Sequence, residues 1–429
     1  MHFGIIAPPV PGHIHPMGAL GRELIARGHR VTLIHMEDVR ARALKEGLEF
    51  AAIGHRDHPG GSLPVSLAEL GKLEGLAALR FTIRAVRNTT EMFCRDAPEA
   101  IRAEGIDALI VDQTEPAGGT VAEHLGLPFV TVANALLLNR ESGVPPPFSN
   151  WEYRSAWWAR LRNRAGYAVS RLVMRPVSKT VAQYRRAWDL PPLSDPDHSS
   201  SALAQICQLP RELDYPRQSL PPSFHYTGPL RRDQPSATPF PWDRLNGRPL
   251  IYASLGTLQN SREPVFRCFA EACRGLDVQL VMSHGGGLDD RAAAALAADA
   301  LVVPYAPQLA LLKQAALTIT HAGLNTVLDS LASGVPLVAV PITYEQPAIA
   351  ARVRWSGAGA VIPFSQLTAK RLRDVIQLVL QTKRYRENAL RVASSIQSAG
   401  GVSRAADIIE SAIPLRTNSR PAPESTSLR

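Results

Sequence analysis

Residues 320–346 read THAGLNTVLDSLASGVPLVAVPITYEQ. Leu317 to Thr320 is short and apolar enough for a buried strand, and Leu324, Val327, Leu328 and Leu331 recur at helical spacing until Gly334 stops the run. Pro336 to Val340 then reads as a second buried strand. The polar residues therefore fall at one strand's carboxyl end, at the start of the following helix, and at the next strand's carboxyl end. In open α/β sheets that edge is where ligands bind.

The same alternation extends outward through the chain. Strands are expected at Phe3 to Ala7, Val31 to His35, Ala108 to Val111 and Phe129 to Ala133. A second series runs over Ile251 to Ser254, Val278 to Met282, Leu301 to Val303, Leu317 to Thr320 and Leu337 to Val340. Strands alternating with helices imply an α/β protein of parallel sheets wrapped by helices. Between the series, GPLRRDQPSATPFPWDRLNGRP (228–249) breaks all periodicity with proline and polar residues. The expected organisation is a first domain over 1–230, a linker over 231–247 and a second domain over 248–395. A helical pattern from Leu390 to Ile413 suggests a C-terminal helix (396–413) crossing back to the first domain, before a polar, disordered tail over 414–429.

A chain of 429 residues with 45% hydrophobic and 20% charged residues has ample core for two such domains. Cys94, Cys207, Cys268 and Cys273 show no metal spacing and read as reduced thiols, which points to the cytoplasm. The opening HFGIIAPP reads as a first strand and not as a signal peptide, and no apolar run is long enough to span a bilayer. The net charge of +9 concentrates between Trp151 and Trp188, where nine Arg or Lys face the single Glu152. No zinc-finger or RNA-recognition signature accompanies it, so nucleic acid is not an expected partner.

Within that basic stretch, WEYRSAWWARLRNRAGYAVSRLVMRP (151–176) places Trp157, Trp158, Leu161, Ala165, Ala168, Val169 and Leu172 on one helical face. Arg160, Arg162, Arg164, Arg171 and Arg175 flank it. Two readings stay open: a helix packed on the first sheet with solvated arginines, or a helix lying peripherally on the anionic inner face of a membrane. Upstream, ANALLLNRESGVPPPFSNW is rich in Leu and Pro and suits the lining of an apolar pocket.

Two groups of residues carry chemistry. Helix amino termini present free N–H groups and a partial positive charge, which suits phosphate. Gly323 lets the backbone come close there, and Asn325 and Thr326 add side-chain donors. Ser254, Gly256 and Thr257 in SLGT offer a second cradle at the same sheet edge, and two cradles suit a diphosphate. Tyr305, with Gln308, stands at another strand end where a base could stack. In the first half, PGHIHPMGALGREL places His13 and His15 before a helix beginning near Met17. Imidazole suits a general base near neutral pH, and Asp112 in IVDQTE can orient it. His15 reads as a loop residue, His284 in MSHGGGLDD as part of a turn, and the DPD string at Asp195 to Asp197 as a loop and not a metal site.

From Tyr305 to Gln346 the chain resembles the donor-binding box of family 1 glycosyltransferases, whose pattern is W-A-P-Q, then H-x-G-x-N-S, then E, then G-V-P, then D-Q. PPVPGHIHP, VDQTEPAGG and GPL extend the resemblance to the whole chain, which is most similar to bacterial carotenoid glucosyltransferases and their macrolide-type relatives. The resemblance implies a GT-B fold, two doubly wound Rossmann-like domains facing each other across a cleft. It implies Tyr305 stacking on uracil, Ala306 backbone atoms reading its edge, and Gln308 near the ribose. His321, Gly323, Asn325 and Thr326, with Ser254, Gly256 and Thr257, would hold the diphosphate, Asp329 the ribose hydroxyls, and Glu345 and Gln346 the sugar. His13 would be the base and Asp112 its partner.

The implied reaction is inverting, metal-independent O-glycosyl transfer from a UDP-sugar, UDP-glucose being expected, to a hydroxyl of a lipophilic acceptor such as a carotenoid. The UDP-sugar is a co-substrate, and no cofactor is expected. Tyr305, Asp329 and Glu345 depart from the family's Trp, Glu and Asp, which leaves UDP or dTDP and the sugar open. A macrolide- or flavonoid-type transferase, a nucleotide-sugar epimerase and a non-catalytic donor-binding protein are the alternatives.

Overall fold

The structure is a computed structural model that describes residues 1–73, 75–193, 199–231, 238–257 and 260–413. The expected tail over 414–429, residues 232–237 of the linker and the DPD string at Asp195 to Asp197 lie outside the described residues.

Two parallel sheets organise the chain. The first contains β1 (His2–Ile6), β2 (Arg30–His35), β3 (Glu49–Ala52), β4 (Ala108–Asp112), β5 (Phe129–Ala133), β6 (Gln205–Cys207) and β7 (Phe224–Tyr226), in the order β3-β2-β1-β4-β5-β6-β7. The second contains β8 (Leu250–Ser254), β9 (Gln279–Ser283), β10 (Leu301–Val303), β11 (Ala315–Thr320), β12 (Leu337–Ala339) and β13 (Gly359–Val361), in the order β10-β9-β8-β11-β12-β13. Each strand order reverses direction once, between β1 and β4 and between β8 and β11, and such a switch point opens a crevice at the carboxyl ends of the strands. The central strands β1, β4 and β8 are buried at every position, which is why they read as continuous apolar runs without alternation.

A large apolar cluster fills each domain, beside a smaller one around Tyr252, Val281 and Leu312 in the second. The first joins Phe3, Ile5, Leu33, Leu109 and Val130, and the second joins Ile251, Phe266, Phe269, Leu317 and Ile376. A further cluster straddles the domains: Leu136, Leu137, Leu209 and Leu213 from the first pack with Leu324, Val327, Leu328, Ile349 and Val353 from the second. At its edge Arg352, on the helix Gln346–Ser356, donates from Nε to Asp214 Oδ1 (3.1 Å), while Arg217 Nε reaches Asp214 Oδ2 (3.0 Å). All three side chains are almost wholly buried, and the Arg352 guanidinium lies 4.4 Å over the Tyr215 ring.

Two expectations need correction. The helical pattern from Leu390 to Ile413 is two helices, Lys383–Ala399 and Gly401–Ala412. Gly400 (φ +85°) and Gly401 (φ +57°) take left-handed backbone that other residues rarely adopt, and the chain turns there. The last helix returns to the first domain, where Arg27 bonds Asp407 (2.7 Å) and Glu410 (2.8 Å), and the Gly401 N–H donates to the Thr227 carbonyl (2.7 Å). The first helix begins at Pro11 and not near Met17, running Pro11–Ala26. Extended Val10 precedes it, and Pro11 at its first position has no N–H to leave unpaired. His13 and His15 are therefore helical.

No helix among the described residues is long and apolar enough to cross a membrane.

Candidate active site

His13 projects from the first turns of the helix that follows β1, and Asp112 ends β4, the neighbouring strand at the first switch point. His13 Nδ1 donates to Asp112 Oδ2 at 2.7 Å. Asp112 is fully buried and accepts three further bonds: Thr114 N–H (2.9 Å) and Oγ1 (2.6 Å) at Oδ1, and Asn134 Nδ2 (2.7 Å) at Oδ2. Burial alone would raise the Asp112 pKa, but His13 and these donors hold it below the usual carboxylate range. For His13, burial works to lower the pKa, and Asp112, with smaller help from Glu345 and Glu115, more than offsets it, so the imidazole is a stronger base than a free histidine. With Nδ1–H committed to Asp112, Nε2 carries the lone pair.

Two more carboxyl groups flank this pair. Glu115 is buried, its Oε2 has no partner among the described residues, and burial together with the Asp112 charge pushes its pKa up to about 8. Glu345, from the second domain, is also raised by burial. Both carboxyl groups add to the pull of Asp112 on the His13 proton when they are ionised. Thr114, Glu115 and Asn134 were not singled out from the sequence. The signal available was position, since Thr114 and Glu115 follow Asp112 within VDQTE and Asn134 follows β5 at the same sheet edge.

The second domain supplies the facing wall. β11 ends at Thr320, and the helix Leu324–Ala332 starts behind Gly323 with no side chain capping its first N–H groups. Those donors remain open to an anion. Ala322 sits at φ +66° although it is not glycine, so the tight turn is held under strain at the site itself. The His321 ring fills the space between two glycines. A Cβ on Gly323 would lie 2.5 Å from its Nε2, and a Cβ on Gly256 would lie 2.8 Å from its Cε1. Burial lowers the His321 pKa to about 4, so this imidazole is neutral near pH 7 and acts as a hydrogen-bonding group rather than a cation. Ser254 Oγ accepts the Gly256 N–H (3.2 Å) and shapes the SLGT turn, in which Thr257 is exposed.

Asn325 joins the two walls. Its Nδ2 donates to the Gly12 carbonyl at 3.0 Å, across the domains and beside His13. That carbonyl is available because Pro16, four residues on, has no N–H to bond it within the helix.

The remaining residues divide. Gln308 Nε2 donates to Asp329 Oδ2 (2.6 Å) and Gln308 Oε1 accepts from Tyr252 (3.2 Å), while Arg231 forms an ion pair with Asp329. Arg231, at the start of the linker, was also not singled out from the sequence. Tyr305 is 57% exposed at the rim, its hydroxyl donating to the Gly285 carbonyl (3.2 Å). The Ala306 carbonyl already accepts the Gln308 N–H (2.8 Å), and Thr326 is buried in the helix's first turn. Gln346 is buried with its Oε1 accepting the Ile342 and Thr343 N–H groups (2.9 Å each), which leaves its amide nitrogen as the group free to bond outward. His15 lies apart, bonding Glu46 (2.6 Å), and His284 Nδ1 accepts the Leu288 N–H (3.1 Å) to hold its turn.

Comparison with known proteins shows the family and the fold. The profile described as UDP-glucoronosyl and UDP-glucosyl transferase matches residues 79–400, and that of the glycosyltransferase family 28 N-terminal domain matches residues 11–133. The chain is 38% identical to a zeaxanthin glucosyltransferase of Pantoea ananas, covering 95% of both chains. It is 36% identical to a zeaxanthin glucosyltransferase of Pseudescherichia vulneris, covering 96% of this chain and 98% of that one. The crystal structure of a kitacinnamycin glycotransferase superposes with a TM-score of 0.73 at 22% identity, over 96% of this chain and 99% of that one, and so shares the fold. The two facing sheets are thus a GT-B fold, and the chain belongs to the UDP-glucoronosyl and UDP-glucosyl transferase family as a glycosyltransferase.

Proposed function

We propose that the protein transfers glucose from UDP-glucose to a hydroxyl of a lipophilic acceptor, a carotenoid diol being the expected one, with inversion at the anomeric carbon and without a metal. The observation that carries this reading is the His13–Asp112 pair, held one residue from the Gly12 carbonyl that Asn325 bonds from the opposite domain. A base in one domain is thereby fixed against the phosphate cradle of the other. The similarity to zeaxanthin glucosyltransferases supports the acceptor class and the sugar. On this reading the first domain binds the acceptor and the second binds the donor.

In the proposed step, His13 Nε2 takes the acceptor's hydroxyl proton as its oxygen bonds to the anomeric carbon. The bond from that carbon to the diphosphate breaks, and its electron pair leaves on the phosphate oxygen. Asp112 stabilises the imidazolium that forms. The uncapped N–H groups ahead of Leu324 and the neutral His321 receive the growing negative charge, each such donor being worth roughly 10²- to 10³-fold. Tyr305 stacks on uracil, and Glu345 with the Gln346 amide nitrogen hold the sugar hydroxyls.

The test is transfer from UDP-glucose to a carotenoid diol, with the anomeric configuration of the product read by NMR. A retained configuration, a requirement for added metal after chelation, or epimerisation of UDP-glucose in place of transfer would each overturn the reading. The cradle has its own prediction. Gly323→Ala forces the His321 ring out of its slot, and the affinity for UDP measured by calorimetry is expected to fall about fivefold or more, since overpacking of this kind costs about 1 to 3 kcal/mol. Unchanged affinity would place the diphosphate elsewhere.

A further inference from the structure

The helix Trp157–Val173 turns its apolar side away from the protein. Its inward positions are Ala159, Asn163, Gly166 and Tyr167. Asn163 Nδ2 donates to the Ser142 carbonyl (3.0 Å), the Tyr167 hydroxyl donates to the Val144 carbonyl (3.2 Å), and a Cβ on Gly166 would meet Pro146 and Trp151 at 2.9 Å. These contacts fix the helix's rotation. The face that hydrophobic periodicity assigns to a core is therefore outside: Trp157 is 77% and Leu172 67% exposed, with Trp158, Leu161 and Val169 also exposed between them. Of the two readings left open by the sequence, packing of this face on the first sheet is not what the structure has.

The exposed ridge does not stand alone. Leu172 borders a cleft of about 380 Å³ that also takes Arg87, Arg175, Lys179, Thr180 and Gln183 from the neighbouring helices Gly75–Glu104 and Arg175–Ala187. Three cations converge there, and no described carboxylate forms an ion pair with any of them. The amino-terminal half of Gly75–Glu104 repeats the pattern, with exposed Leu76 and Leu79 beside exposed Arg80 and Arg84. Apolar side chains set among unpaired arginines and lysines would be costly as a face for water alone, and their charge is complementary to an anionic surface.

We propose that this face docks on an anionic phospholipid bilayer, with Arg87, Arg175 and Lys179 taking lipid phosphates in the cleft while Trp157, Trp158, Leu161 and Leu172 enter the headgroup layer. Docking stands on the surface alone.

Vesicle sedimentation without sugar or acceptor tests the docking separately from transfer. The protein should pellet with vesicles of phosphatidylcholine and phosphatidylglycerol at low salt, far less with phosphatidylcholine alone, and be released at high salt. A basic residue near such a surface is worth about fivefold in partition, so Arg175→Glu combined with Lys179→Glu should lower binding at least about twentyfold. Leu161→Asp should also weaken it, and both variants should keep the wild-type urea unfolding midpoint because the sites are exposed. Absence of pelleting, equal pelleting with neutral vesicles, pelleting without vesicles through self-association, or wild-type binding by the double variant overturns the proposal.

Discussion

His13→Ala is expected to lower transfer by about 10²- to 10⁴-fold, the range a positioned general base supplies, while leaving UDP affinity nearly unchanged. The separation follows from the geometry. His13 stands on the first domain, and its bonded partner is Asp112, not any group of the proposed diphosphate cradle. Asp112→Asn tests the same pair from the other side. It removes the charge that raises the His13 pKa and leaves the burial that lowers it. The base must be deprotonated to work, so the acid limb of kcat/KM lies above that of an ordinary histidine in the wild type and moves to lower pH in the variant, with the maximal rate reduced because the amide no longer fixes the Nδ1–H tautomer. Wild-type turnover by His13→Ala, or an acid limb that Asp112→Asn does not move, removes His13 as the base.

The second large effect concerns the joint between the domains. Asp214→Ala is expected to destabilise the protein by about 3 to 5 kcal/mol in urea unfolding, because Arg217 and Arg352 are then left buried without their carboxylate. Arg352→Met should cost clearly less. There Asp214 keeps Arg217 and the Tyr226 hydroxyl (3.1 Å), and the methionine can occupy the space over Tyr215. Reversal of that order, or a loss within about 0.5 kcal/mol for Asp214→Ala, shows that the network is not what holds this joint.

What was legible in the sequence was whatever burial writes as an uninterrupted apolar run. β1, β4, β8 and β11 line the two switch points, and their runs are plain in FGII, ALIV, IYAS and LTIT. β3, β6, β7 and β13 were not read. They are short, lie toward the sheet edges, and include polar or glycine residues such as Glu49, Gln205, His225 and Gly359, whose pairing comes from neighbouring strands and not from local preference. The His13–Asp112 pairing was legible, because both residues stand at carboxyl ends of neighbouring first-domain strands, but the contacts of the other candidate residues were not. Nothing in the spacing says that Pro16 frees the Gly12 carbonyl for Asn325, that Arg231 meets Asp329, or that Gln346 spends its carbonyl on its own loop. The helix Trp157–Val173 shows the limit of periodicity: the apolar stripe was correctly located, while its direction was decided by Asn163, Gly166 and Tyr167 on the other side.

The apolar cluster shared by the two domains bears on turnover. Leu136, Leu137 and Leu213 interlock with Leu324, Val327 and Ile349, so parting the halves would wet a single continuous core. A clamshell cycle is thereby penalised at every round of catalysis. If Tyr305 holds the base as proposed, the spent nucleotide has to leave past this exposed ring and its bond to the Gly285 carbonyl, with the two halves still joined.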